Sequence, residues 1–183
     1  DVAGGGRAGD RVAVKVVHPA ARRRVLADLE LLDFAAALAE RWWPRARWFS
    51  LRGAAREFSA TLAAQMDMRA EAAALAEMRF NFRDVAEVDF PAPRPALVSA
   101  DVLVEDFVEG PSMKDFLGSR ADRSTRLRLA EVGVDAVCKM LFHDNLLHGD
   151  LHPGNMLVVD QERPRVCFLD AGIVVRLGDR ESR

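Results

Sequence analysis

Lysine is scarce in this sequence: Lys15, Lys114 and Lys139 are the three among 26 lysines and arginines, so a lysine inside an apolar strand invites a chemical explanation. Cysteine is scarcer. Cys138 and Cys167 stand singly in apolar runs with no CxxC spacing, which speaks against a sequence-local metal or redox pair and reads as two buried thiols in a reducing compartment. No run of eighteen apolar residues exists, so no segment reads as a membrane-spanning helix. Neither sign of charge dominates. With a formal net charge of −2 and arginines interleaved with acids, the basic face that a nucleic-acid partner demands is missing. There is no internal repeat and no low-complexity tract. A signal peptide is also lacking, the first residue is Asp1 and not Met, and Asp170 has 183 − 170 = 13 residues after it. Both ends therefore read as cut.

What is present suffices for a core of ordinary domain size: 183 residues, 50% hydrophobic and 30% charged. After a Gly-rich start over residues 1–10, the β-branched alternation of residues 11–17 predicts a strand with Lys15 inside it, closed by His18-Pro19. Helical spacing over 21–41 (Val25, Leu29, Leu32, Ala36, Ala39) predicts a helix ended by Trp42-Trp43-Pro44. Trp42, Trp43 and Trp48 are expected to pack between elements rather than to stack a ligand. Residues 53–80, rich in alanine, predict a second long helix with Asp67 and Glu71 on one face. Two carboxylates so placed ask for a cation, with Lys15 the candidate, or else form a solvated acidic face.

Pro91, Pro93 and Pro95 enforce an extended connection. Residues 96–99 and 102–108 then read as two paired strands, and 109–112 as a breaker. Ser112 is placed to cap a short helix over 113–117. A charged loop over 119–126 precedes a helix expected to be apolar on more than one side, with Leu127, Ala130, Val134, Val137, Met140 and Leu141 facing in. Residues 156–159 and 166–169 predict a hairpin, entered through His148-Gly149-Asp150-Leu151-His152-Pro153-Gly154-Asn155 and left through Leu169-Asp170-Ala171-Gly172.

Phosphoryl transfer needs oxygen ligands for a metal, a group that orients the nucleophile and a cation on the phosphates. The chain offers these in order: Lys15 after Val-Ala-Val, Glu71 on a later helix, Asp150 and Asn155 in one loop, and Asp170 at a strand end. A carboxylate and a carboxamide suit Mg²⁺, which takes oxygen. The competing reading, His148, Asp150 and His152 as a transition-metal site of a hydrolase, leaves Lys15, Glu71 and Asn155 unexplained.

The residues resemble those of the UbiB or AarF-domain (ABC1-type) atypical kinases, a protein-kinase-like family tied to ubiquinone and other prenyl-lipid metabolism in bacteria, mitochondria and plastids. Val12-Ala13-Val14-Lys15-Val16-Val17-His18-Pro19 is similar to its nucleotide-lysine strand, Gln65-Met66-Asp67-Met68-Arg69-Ala70-Glu71-Ala72 to its acidic helix, and the loop from His148 to Asn155 to its catalytic loop. The likeness runs from Arg11 to about Leu177. It implies an α+β, protein-kinase-like two-lobe fold incomplete at both ends, with residues 1–109 as the smaller lobe and 110–183 as the start of the larger.

By the same resemblance Lys15 and Glu71 pair at the phosphates of ATP, Phe107 and Val108 form the hinge at adenine, Asp150 is the catalytic aspartate, and Asn155 and Asp170 hold Mg²⁺. It further implies lipid or lipid-biosynthesis partners, peripheral membrane association, and a mitochondrial or plastid setting with the targeting segment outside this sequence. Three positions depart from the family pattern: Gln65 for the first acid of its Glu-x-Asp pair, Ala171 for the phenylalanine of Asp-Phe-Gly, and Glu105 for a bulky apolar residue before the hinge. They resemble the branch that includes the second mammalian AarF-domain paralogue. The family's nucleotide loop and Lys-x-Gly-Gln segment would lie upstream of Asp1. Two other functions stand beside this one: an aminoglycoside- or choline-type phosphotransferase, which shares the loop motif, and a silent nucleotide-binding scaffold.

Overall fold

In the computed structural model, strand β1 (Val12–Val16) inverts the usual facing of a half-buried strand. Val12, Val14 and Val16 are exposed while Ala13 and Lys15 turn inward. The inversion follows from pairing. β1 lies antiparallel to β3 (Val102–Asp106), with Lys15 opposite Leu103 and Ala13 opposite Glu105, so the two charged residues share the inner side of a two-stranded sheet. The structure describes residues 11–43, 48–119, 122–160 and 163–177; the Gly-rich start, Pro44 and part of the 160–164 turn lie outside them.

Helix α1 (Pro19–Trp42) starts where His18 Nδ1 accepts the Ala20 amide, with Pro19 in the first turn where its missing N–H costs nothing. It packs on α2 (Leu51–Gln65) through Leu29, Ala36 and Ala55, and Asp33 receives the guanidinium groups of Arg52 and Arg56. The tryptophans do not fill this contact. Trp42, Trp43 and Trp48 are 73%, 69% and 91% exposed: Trp42 is the last residue of α1, Trp43 its C-cap and Trp48 lies before α2, and among the described residues no element covers them.

The single helix expected over 53–80 is two. Met68 gives its amide to the Ala100 carbonyl, 3.1 Å away in the approach to β3, and Asp67 turns its carboxylate back as the cap of α3 (Met68–Asn81). A hydrogen bond from another part of the fold thus overrides local helix propensity. Asp67 and Glu71 consequently do not share a cation. Asp67 is held by Arg69 in a two-pronged contact at 2.8 to 3.2 Å, which a continuous helix would forbid, and Glu71 alone turns inward.

Residues 96–99 form no strand. A 3₁₀ turn, Pro95–Leu97, occupies the region, since Pro95 supplies no ladder donor. Helix α4 (Met113–Gly118) is capped by Ser112, as its position suggested. Helix α5 (Arg123–Phe142) begins inside the expected charged loop because Asp122 accepts the Thr125 amide at 2.8 Å. It buries one face, through Leu129, Val132, Ala136 and Met140. Leu127 and Val134, expected inside, are exposed.

A three-stranded sheet runs β2 (Val88–Asp89), β6 (Arg165–Phe168), β5 (Met156–Asp160), the first pair parallel and the second antiparallel. It packs against α5 and α3, with Phe90 between Phe82 and Phe168 at ring separations of 5.4 Å on each side. A last antiparallel pair joins β4 (Leu146–His148) to β7 (Val174–Arg176). Cys167 is buried in this core, but Cys138 lies on the outer side of α5, exposed, contrary to the expectation of two buried thiols. At the exit from β3, Gly110 passes so close to β5 that a Cβ would stand 2.5 Å from the Val158 carbonyl oxygen; Pro111 O accepts the Val158 amide immediately beyond.

Candidate active site

Three elements converge on the Lys15 ammonium. Its Nζ lies 2.5 Å from Glu71 Oε1 on α3, 2.9 Å from the Leu169 carbonyl at the end of β6, and 3.3 Å from Glu105 Oε1 on β3. Glu71 and Glu105 are buried and Lys15 is about one-third exposed along its side chain. Burial pulls the ammonium's pKa down, but the hydrogen bond to Glu71 and the charges of Glu71, Glu105 and Asp170 more than restore it, leaving it above the usual lysine value. Lys15 is therefore a permanent cation at neutral pH. Of the two sequence readings for Glu71, a Lys15 partner or a solvated face, the structure has the first.

Asp150, Asn155 and Asp170 are held near one another by backbone ties, and Leu169, which accepts from Lys15, is part of them. The Gly149 amide donates to Ile173 O at 2.7 Å, His148 pairs with Val174 in the β4–β7 ladder, and the Leu169 amide donates to Asn155 O at 2.9 Å. Those three links clamp the loop before β5 to the segment after β6. Within the loop, Asn155 Nδ2 donates to Asp150 Oδ2 at 3.3 Å, and Asp170 Oδ1 accepts the Gly172 amide at 2.8 Å. Asp150 is exposed, whereas Asn155 and Asp170 are half-buried.

Both histidines serve the loop's shape. His148 Nδ1 accepts the Asp150 amide and His152 Nδ1 accepts the Gly154 amide. His148 is buried, and burial lowers its pKa, with Asp170's backbone and charge opposing. Among the described residues no group of three or more His, Cys, Asp or Glu side chains is placed to hold a metal ion, and the Nδ1 atoms of His148 and His152 are both engaged by backbone amides. A carboxamide and a carboxylate oxygen are the donor types a hard cation takes, and they are offered here by Asn155, whose Nδ2 is engaged with Asp150, and by Asp170, whose Oδ1 accepts the Gly172 amide. Mg²⁺ characteristically takes one or two protein oxygens and completes its shell with water and phosphate.

Phe107 and Val108 follow β3 directly. Phe107 is 42% exposed, its ring lies 4.2 Å from the Arg11 guanidinium, and its amide donates to Arg11 O, while Val108 is half-buried. Two contacts of the cluster were not read from the sequence. The Leu169 carbonyl is a backbone group and leaves no residue-type signal. Glu105 did leave one, an acid in the apolar run Val102-Leu103-Val104-Glu105, but its partner was visible only once β1 and β3 were paired.

Residues 4–183 match the family model of the ABC1 atypical kinase-like domain. A mitochondrial ABC1 family protein of Saccharomyces cerevisiae is 36% identical over 96% of this chain and 34% of its own length. A mitochondrial ABC1 family protein of Schizosaccharomyces pombe is 38% identical, covering 94% and 30%. A probable protein kinase UbiB of Vibrio vulnificus is 33% identical, covering 94% and 32%. The chain thus spans about a third of the length of these relatives. Among solved structures, a Mycobacterium tuberculosis protein in complex with erythromycin superposes with a TM-score of 0.72 at 24% identity, over 92% of this chain and 41% of that one, a likeness of fold.

Proposed function

The chain belongs to the ABC1 atypical kinase-like family, and from that premise we propose that it supplies the nucleotide and catalytic residues of an ATP-dependent, Mg²⁺-requiring phosphotransferase or ATPase of the UbiB type. The observation that carries the reading is the convergence on Lys15: a cation held by Glu71 and by the carbonyl that precedes Asp170. Lys15 offers positive charge to nucleotide phosphates, and Glu71 sets its direction. Asp150, half-exposed and hydrogen-bonded by Asn155, is positioned to orient a hydroxyl or water and take its proton. Asn155 and Asp170 are the residues that would hold Mg²⁺, which when bound offsets phosphate charge.

Phe107 and Val108, following β3, are the proposed adenine contacts, and Gly110 the point where a smaller lobe (residues 1–109) gives way to a larger one (110–183). The wider setting is part of the same proposal. Two relatives are mitochondrial and a third carries the UbiB name, which supports a mitochondrial setting; peripheral membrane association and partners in ubiquinone or other prenyl-lipid metabolism are the further part of the proposal.

The test is nucleotide binding and turnover by the full chain, with Mg²⁺ and with chelator. Asp170→Ala should lose the Mg²⁺-dependent part of ATP affinity, and Asp150→Asn should keep binding while losing turnover about 100-fold or more. Mg²⁺-dependent binding by Asp170→Ala as tight as the parent's sinks the metal assignment. Absence of turnover above background in the parent, with binding retained, replaces the enzyme by a scaffold.

A further inference from the structure

An ammonium has three hydrogens to give. Around Lys15 the protein already supplies two hydrogen-bond acceptors, Glu71 Oε1 and the Leu169 carbonyl, and one ion-pair partner, Glu105 Oε1. All three belong to the protein, so a phosphate oxygen reaching Lys15 must compete with them for its charge. The Leu169 carbonyl is fixed by the β6 backbone. Glu71 is the nearest at 2.5 Å, and Glu105 the farthest at 3.3 Å.

Glu105 is also the least satisfied member. Its side chain is 4% exposed, and its second oxygen, Oε2, is buried with no hydrogen-bond partner. A carboxylate half unpartnered in such a place is costly and calls for an explanation. The groups that face it are few: Lys15 from β1, Glu71 from α3 and Asp170 after β6, two of the three being acids. Burial is the largest influence on Glu105 and raises its pKa, with Lys15 opposing.

We propose that Glu105 is a built-in competitor for Lys15: it occupies the ammonium in the nucleotide-free chain and weakens phosphate binding, so that this side chain sets nucleotide affinity by acting through Lys15. The inference rests on the nucleotide reading given above. Glu105 is thereby a positioning residue, with no contact to the nucleotide required of it. An apolar residue at the same place would remove that competing charge from Lys15. Glutamine would keep the volume and remove the charge.

The experiment measures ATP and adenosine affinity by calorimetry for the full chain, Glu105→Gln, Glu105→Leu, and each of these in a Lys15→Ala background. Loss of an anion paired with a partly exposed ammonium should tighten ATP binding about fivefold. Adenosine, which has no phosphate, should bind unchanged, and in the Lys15→Ala background the ATP effect should vanish. A role confined to packing would shift ATP and adenosine alike. Equal or weaker ATP binding by both Glu105 variants, folded by circular dichroism, overturns the proposal while leaving the nucleotide reading in place. ATP binding by the variants but not by the parent upholds it in its strongest form. Failure of all of them to bind ATP overturns both it and the nucleotide reading.

Discussion

The Lys15 Nζ and the Leu169 carbonyl oxygen lie 2.9 Å apart across 154 positions of sequence. That contact fastens β1 to the residue before Asp170, so the lysine's charge and the Asp170 carboxylate are set in one frame. Glu71, at 2.5 Å from the same nitrogen, adds α3 to the junction.

Lys15→Met should destabilise the fold by about 1–3 kcal/mol, less than for a fully buried pair because the lysine is partly exposed, since Glu71 and Glu105 are left buried without their cation. The sign with pH follows from the raised pKa of Lys15. Its stabilisation is fully present below 10.5, the ordinary value, and is lost as pH rises through the higher folded value. Urea unfolding of parent and variant at neutral pH and above 10.5 should show the gap closing at the alkaline end.

Asp67→Ala removes the cap of α3, a feature typically worth about 1 kcal/mol. The Arg69 hydrogen bonds hold the Asp67 pKa at about 2, below its ordinary 3.8. Its contribution is therefore present above 3.8 and fades as pH falls through about 2. Thermal melts should separate parent and variant at neutral pH and converge in strong acid, with Asp67→Asn retaining most of the cap.

Gly110→Val should cost about 1–3 kcal/mol, because its Cβ would fall 2.5 Å from the Val158 carbonyl and the 110–112 connection would be pushed off β5. A solvent-facing glycine is the control. Gly118→Ala, where a Cβ meets nothing within 4 Å, should leave the denaturation midpoint close to the parent's.

Cys138 should react with iodoacetamide in the native protein and Cys167 should not. The first is exposed. The second is buried, and burial pushes its thiol up to about 12, so neither access nor thiolate is available near pH 8. Mass spectrometry should count one adduct under native conditions and two in denaturant; two native adducts would mean that the β6 core opens.

The sequence carried the site's side chains well because each is a polar residue in an apolar setting: Lys15 in a valine strand, Glu71 in an alanine-rich helix, Asp170 at the end of Val166-Cys167-Phe168-Leu169. It carried helix limits less well. The break at Asp67 depends on the Ala100 carbonyl, and the early start of α5 on Asp122, neither of which periodicity registers. The tryptophans misled for a related reason: aromatic size predicts burial only where another surface exists to meet it, and around the end of α1 none is present among the described residues. β4 and β7, three residues each, are too short for alternation to reveal, although they set the loop that bears Asp150.

The Lys15–Leu169 link also bears on how this part of the protein folds. Glu71 lies 56 positions from Lys15, but Leu169 lies 154 positions away, so the junction closes only when segments far apart in sequence have come together. A contact of that range carries a larger loop-closure cost than the Lys15–Glu71 pair, which places it among the slow events of folding.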